Sequence, residues 1–278
     1  MSNTPSGKSP GRALVTGASS GIGARYAHHL AHRGHDLTLV ARNVERLETL
    51  AARLRAETGR DVRVLPADLS RADGVQRVAQ ALREDDSLTL LVNNAGIGAV
   101  APLLQSDPAQ MQAMIDLNIS ALTHLTMAAA PAFVARGGGT IINIASIVGL
   151  HPELLNGVYG ASKAYVLAYS QSLRHELADK GLRVQAVLPG ATGTEFWDLA
   201  GKPASELPSA IVMSADDMVR SALAGLDQGE FVTIPSLTDP ALLERLEAAR
   251  QALGPELSRN TPAARYGIQA PGGTGTNG

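Results

Sequence analysis

"LVTGASSGIGARYAHHL", residues 14–30, decides the fold. An apolar run ends at Thr16, glycines follow at Gly17, Gly21 and Gly23, and an amphipathic stretch begins. The pattern describes a strand turning sharply into a helix. Glycine frees the backbone for such a turn, and a glycine facing the strand lets the helix pack close to it. A helix that starts here offers bare N–H groups and the positive end of its dipole, which suits a phosphate. Ser19 and Ser20 add hydroxyl donors. The spacing is G-x-x-x-G-x-G rather than the common G-x-G-x-x-G. By itself the loop reads either as a phosphate cradle or as a tight connection.

The same alternation continues outward. Runs at 12–17, 36–42, 61–68, 87–96, 139–146, 182–190 and 230–235 are rich in Val, Ile and Leu. Parallel strands covered on both faces look like this. Helix patterns lie between them. "NVERLETLAARLRAETG" begins at Asn43, aligns Leu47, Leu50 and Leu54, and stops at Gly59. Asp107 before Pro108, Ser214 with Asp217, and Asp239 before Pro240 mark further helix starts. No composition break interrupts the series. One doubly wound α/β domain is expected over residues 11–255, with flexible Gly/Pro/Ser-rich tails at 1–10 and 256–278.

Composition narrows the function classes. The 278 residues are 45% hydrophobic and 18% charged, enough for a sizeable core. A net charge of −2 argues against nucleic acid or an anionic membrane as the partner. There is no cysteine, so disulfides and thiolate metal sites are excluded. The polar start "MSNTPSGKSPGR" lacks the apolar stretch of a signal peptide, and no apolar run reads as a membrane span; the expected location is cytoplasmic. Of seven histidines, His28, His29 and His32 read as a solvated helix face. His29 with His32 has no carboxylate cluster beside it in the sequence, so no metal is expected.

Ligands of such sheets bind where the carboxyl ends of strands meet the next helices. After the second strand, an NAD site usually carries an acid for the ribose 2′-hydroxyl. Here stand Ala41, Arg42 and Asn43. A cation suits a 2′-phosphate, so Arg42 favours NADP(H), against the plainer reading of a solvated charge. Asp68, after the third strand, is either an acceptor for an adenine amino group or a residue preceding a helix start at Ser70. Asn93 and Asn94 place amides at a buried strand end, where polar atoms need partners. Ala95 and Gly96 leave room there for a flat ring or a ribose.

A second constellation lies in "GVYGASKAYVLAYS", residues 157–170. Tyr159 and Lys163 are four apart and share a helix face. A free tyrosine, with a pKa of about 10, is a poor acid or base at neutral pH. A nearby ammonium favours the phenolate and is expected to lower that pKa. Ser146 ends the fifth run and would hold a substrate oxygen beside Tyr159. Asn118 interrupts the apolar stretch "MIDLNISALTHL", where asparagine is a poor helix residue. Its plain readings are a satisfied core amide or a local kink.

Taken in order, "TGASSGIG" (16–23), "NNAG" (93–96), Asn118, Ser146, "YGASK" (159–163) and "PGATGT" (189–194) resemble the short-chain dehydrogenase/reductases of the compact single-domain subtype. The likeness spans roughly residues 11–235. It implies an α/β, doubly wound Rossmann-type sandwich with a seven-stranded parallel sheet flanked by helices. It also implies an oxidoreductase moving hydride between NADP(H) and a carbonyl or secondary alcohol. In that likeness Tyr159 would be the general acid/base. Lys163 would lower its pKa and bind the nicotinamide ribose. Ser146 would orient the substrate oxygen, and Asn118 would hold a water for proton relay. The implied cofactor contacts begin with Gly17, Ser19, Ser20, Gly21, Ile22 and Gly23. They continue through Arg42, Asn43, Asp68, Leu69, Asn94, Ala95 and Gly96 to Tyr159 and Lys163. Pro189, Gly190, Thr192 and Thr194 would sit at the nicotinamide end. A homodimer or homotetramer is implied as well, although "SLTDPALLERLEAARQALGPEL" runs past the point where many compact members stop.

Three segments should form the substrate mouth: 96–104, 150–158 and "TEFWDLAGKPASELPSAIVM" at 194–213. The last carries Phe196, Leu199 and the single tryptophan, Trp197. It reads as a lid or as a short helix on the domain edge. The lining is mostly apolar, so a lipophilic or neutral carbonyl or alcohol is expected. His151 is either a substrate contact or an exposed loop residue.

Overall fold

Every apolar run forms a strand, and almost every strand feeds a helix that covers it. A computed structural model describes residues 10–268. The chain forms β1 (Arg12–Thr16), α1 (Gly21–His32), β2 (Asp36–Ala41), α2 (Val44–Thr58), β3 (Val62–Pro66), α3 (Ala72–Glu84) and β4 (Leu88–Asn93). Next come α4 (Pro108–Ile115), α5 (Leu122–Ala135), β5 (Gly139–Ile144), α6 (Gly157–Leu177) and β6 (Leu182–Val187). The last elements are β7 (Thr192–Gly193), α7 (Phe196–Ala200), β8 (Met213–Ser214), α8 (Ala215–Asp227), β9 (Val232–Thr233) and α9 (Ala241–Leu253). Seven strands build one parallel sheet in the order β3-β2-β1-β4-β5-β6-β9. The strand order reverses between β1 and β4, which is where such sheets open a crevice.

Alternate strand residues serve opposite faces. Ala13 and Val15 join a core with Tyr26 and Leu30 of α1, Leu47 and Leu54 of α2, and Met218 of α8. Leu14 joins the other core, with Val78 and Leu82 of α3, Phe133 of α5 and Leu173 of α6. The expected helix signals act as read. Asn43 accepts from Arg46 N–H, Gly59 ends α2 with φ 67°, Asp107 caps Ala109, and Ser214 caps Asp217.

One polar ladder crosses the apolar interior. Asn93 of β4 and Asn143 of β5 face each other in register. Asn93 Nδ2 donates to Asn143 Oδ1 at 2.9 Å and to Thr126 Oγ1 at 3.1 Å. Asn143 Nδ2 donates to Ser170 Oγ of α6 at 2.9 Å. All four residues are buried.

One expectation needs correction. Residues Pro108–Ala135 form 28 residues of nearly continuous helix, long and apolar enough by composition to cross a membrane. The sequence hid this length because Asp116 and Asn118 break the apolar run. Half of the most apolar window is buried in the protein, where α5 packs on α3, β4 and β5. The expected domain reaching residue 255 stands beside a division of the chain. The chain divides into two compact units, the first ending at Ser236 and the second starting at Leu237. Helix α9 belongs to the second unit and buries none of its residues. Its helix periodicity was legible, but periodicity does not say what a helix packs against. Of the expected flexible tails, residues 1–9 and 269–278 lie outside the described residues.

Candidate active site

The glycine turn forms as its chemistry requires. Gly17 and Gly21 adopt φ values of 65° and 52°, which side chains resist. Gly23 has a different role, because a Cβ there would lie 2.2 Å from Gly17 O. It is buried and lets α1 press on the turn. Ser20 is the N-cap of α1, yet its side chain makes no capping bond, and no acid lies in the first turn. The first-turn N–H groups therefore face the cleft without a side-chain acceptor.

A polar clasp joins this turn to the end of β4. Thr16 Oγ1 donates to Val92 O and accepts from Asn94 N at 2.9 Å and Ala95 N at 3.0 Å. Asn94 Nδ2 returns a bond to Thr16 O at 2.9 Å. Sequence reading missed Thr16; its signal was only a threonine closing an apolar strand.

The sheet's carboxyl edge opens into a cleft of about 1570 Å³. Its walls include Gly17, Ser19, Ser20, Gly21, Ile22, Arg42, Asn43, Asp68, Leu69, Asn94, Ala95 and Gly96. Ser146, Tyr159, Lys163, Pro189, Gly190, Thr192 and Thr194 complete that set. Two expected residues stand behind the wall instead, Gly23 and Asn118. Arg42 is exposed and forms no hydrogen bond or ion pair among the described residues. Asn43 Oδ1 is committed to its helix cap. Asp68 holds Ser70 through its N–H at 3.0 Å and its hydroxyl at 2.7 Å, closing the turn before α3. Burial pushes the Asp68 carboxyl up, but those bonds and the Arg42 charge outweigh it, so it sits below its usual range. Arg46, unnoticed in the sequence, also lines the cleft and meets Glu195 on the opposite wall at 2.7 Å.

Tyr159 starts in α6 because Asn156 caps that helix. Asn156 Oδ1 accepts from Val158 N and Tyr159 N, while its Nδ2 donates to Ala101 O at 2.7 Å and Ser106 Oγ at 2.9 Å. This ties the first turn of α6 to the loop after β4. Asn156 was missed, although Asn before Gly157 is a helix-start signal. Tyr159 is 6% exposed, with the Phe196 ring over it at 5.7 Å between centroids. Burial pushes its phenol up to about 12, and the nearby Ser146 hydroxyl, which donates to Pro189 O at 3.3 Å, acts against that.

That direction is set by burial, and Lys163 is not among its causes. The lysine Nζ donates to Ile144 O at 2.8 Å and lies 5.9 Å from the centre of the Tyr159 ring. It does not touch the phenol oxygen. Burial brings the Lys163 ammonium down to about 8. Both groups are desolvated more than they are paired, and desolvation favours the neutral form of each.

Asn118 sits in a π-helical turn, Asp116–Ala121, between α4 and α5. Its Oδ1 accepts from Ile97 N at 3.0 Å, and its Nδ2 donates to Ile97 O at 2.9 Å and Ser162 Oγ at 3.1 Å. The amide is satisfied, as in one of the plain readings, and the helix is widened there. A Cβ at Gly96 would lie 3.0 Å from Asn118 Oδ1 and 3.6 Å from Lys163 Nζ. The bare backbone of Gly96 thus separates the two side chains.

The three mouth segments meet over Tyr159. Ile97, Gly98, Val100, Leu154, Leu155, Leu207, Pro208 and Ile211 line the cleft. The 194–213 segment is pinned at both ends, because β7 and β8 pair in parallel as Thr192↔Met213 and Gly193↔Ser214. Trp197 is buried and donates Nε1–H to Thr192 O at 3.0 Å. His151 does not line the cleft; it is exposed and meets Glu153 at 3.1 Å.

Comparison with known proteins agrees with this architecture. Residues 12–203 match the short chain dehydrogenase family. A short-chain dehydrogenase from Sphingobium yanoikuyae, solved in complex with NADPH, is 48% identical with a TM-score of 0.89, over 92% of this chain and 99% of that one. A bulky-bulky ketone specific alcohol dehydrogenase from Comamonas testosteroni is 43% identical with a TM-score of 0.86, over 93% and 99%. Human 17-beta-hydroxysteroid dehydrogenase type 3 is 31% identical over 247 residues, 87% of this chain and 75% of that protein. The glycine turn, the parallel sheet and the cleft at its carboxyl edge thus have a common ancestry, and the chain belongs to the short-chain dehydrogenase family of oxidoreductases.

Proposed function

We propose that the protein is an NADP(H)-dependent reductase of ketones with bulky apolar substituents, acting in reverse on the matching secondary alcohols. The observation that carries this reading is the Tyr159 phenol. It is buried under Phe196 and set with Ser146 in the same cleft as the glycine turn. The residues present fit a dinucleotide. The uncapped start of α1 suits a pyrophosphate. The free guanidinium of Arg42 suits a 2′-phosphate, and the NADPH complex of the Sphingobium relative supports the same choice.

When bound, the nicotinamide supplies or accepts the hydride. Ser146 Oγ orients the substrate oxygen. Tyr159 Oη gives that oxygen a proton during reduction. A phenol held near 12 carries its proton at neutral pH but holds it tightly, so giving it up depends on positive charge nearby, such as the Lys163 ammonium, to favour the phenolate. Lys163 brings one positive charge to the floor of the cleft. Asn118 fixes the Ile97 loop that forms one wall. Phe196 and Trp197 exclude water from the phenol. The apolar mouth fits bulky carbon groups on both sides of a carbonyl, as the name of the Comamonas relative says of that enzyme.

The test is NADPH absorbance with a graded set of ketones, from acetone to diaryl and branched dialkyl ketones. Turnover should rise with apolar bulk. NADPH binding with no turnover on any of them would instead favour a protein that senses the cofactor.

A further inference from the structure

We propose that His28, His32 and Glu57 form a divalent transition-metal site that braces α1 to α2, and that Zn²⁺ suits its ligands. His28 and His32 are one turn apart on α1, so their imidazoles rise from the same face. Glu57 reaches them from the last turn of α2. One ligand atom from each lies within 4.8 Å of the others. Two atoms bound to one zinc at about 2.0–2.2 Å are at most about 4.4 Å apart. Small rotations of the exposed His32 and Glu57 side chains close the set.

The hydrogen bonds already present prepare these ligands. His32 Nδ1 is 2.9 Å from His28 O, its own helix carbonyl. A carbonyl only accepts, so Nδ1 carries the proton and Nε2 keeps the lone pair. This is the usual support for a metal-bound histidine. His28 Nδ1 is buried without a hydrogen-bond partner and lies 3.7 Å from Glu57 Oε2. The other Glu57 oxygen faces Arg53 Nε at 3.7 Å, which leaves Oε2 aimed at the imidazole. The two imidazole centroids are 4.2 Å apart. Neutral imidazole with one carboxylate is a zinc, nickel or copper ligand set rather than a calcium or magnesium one. The sequence reading weighed only His29 with His32 and expected no metal there. His29 turns away and meets Asp216 of α8 at 2.9 Å.

The experiment is calorimetric titration of ZnCl₂ into the full-length protein, free of any polyhistidine tag and first stripped with a chelator. One Zn²⁺ should bind per chain and raise the melting temperature. His28→Gln and His32→Gln should each weaken binding at least about tenfold, and Glu57→Gln by roughly three- to tenfold. His29→Gln should leave it unchanged. A second readout needs no variant: Zn²⁺ should shift the imidazole NMR signals of His28 and His32 in the wild-type chain, and not that of His29. The proposal is overturned by the absence of saturable binding. It is equally overturned by binding that survives loss of both His28 and His32, or by a shift confined to other histidines.

Discussion

Lys163 shows a function set against stability. Its ammonium is buried with one carbonyl partner, Ile144 O, and its pKa falls from 10.5 to about 8. Below about pH 8 both folded and unfolded chains carry the proton, and the full penalty of burying the charge is present. Between about 8 and 10.5 the unfolded chain binds a proton that the folded chain has released, so stability rises with pH. Lys163→Met should therefore melt higher than wild type at pH 6.5, by roughly 1–3 kcal/mol after the loss to Ile144 O is counted. Thermal melts should show the gap shrinking toward pH 10, and the variant should have lost turnover. In wild type, NADPH affinity should weaken above pH 8 as Lys163 loses its charge; a flat affinity from pH 7 to 9.5 contradicts that role. Tyr159→Phe should lower turnover at least about a hundredfold and leave NADPH binding nearly intact. The pairing of Tyr159 with Lys163 was legible because four-residue spacing fixes a shared face. The direction of the phenol's shift was not, because burial depends on Phe196 and on the loop after β4, which are distant in sequence.

At the scale of elements, the proposed cofactor site would divide the recognition of a dinucleotide between the β1–α1 turn and the start of α2. Arg42 is free, whereas Arg46 is held by Glu195 across the cleft. Arg42→Asp should shift the NADPH/NADH preference, read as kcat/KM, by about a hundredfold toward NADH. Arg46→Ala should weaken NADPH binding by less than tenfold, since a surface ion pair contributes only about 0–1 kcal/mol. An equal effect of the two would make Arg46 the phosphate reader. All seven main strands could be read from the sequence: the central five, largely buried, keep one apolar signature, and the edge strands β3 and β9 keep a shorter one. The π-helical turn at Asn118 could not, since it answers to Ile97 and Ser162 rather than to local propensity. The β7–β8 clip was equally hidden, because two-residue strands leave no periodicity.

For the molecule as a whole, burial ends before the chain does. The last buried apolar side chain is Leu226 and the last buried polar one is Thr233, among the described residues. A chain ending at Ser236 should unfold cooperatively with a melting temperature within about 2–4 °C of the full protein. A larger loss in differential scanning calorimetry would give the residues from Leu237 onward a structural role. How far the packed domain reaches was not legible in the sequence, because a helical repeat of leucines looks the same whether or not something covers it.

The facing amides of Asn93 and Asn143 reach beyond the native state. A parallel strand that slips by one residue against its neighbour still buries valine or isoleucine, so an apolar pairing tolerates the error. Here the slip would strand both amides in a dry interior, each at roughly 1–3 kcal/mol. The pair should therefore disfavour near-miss pairings of β4 with β5 that hydrophobicity alone would accept. Replacing both asparagines by leucine should give a chain that still collapses but refolds in several phases.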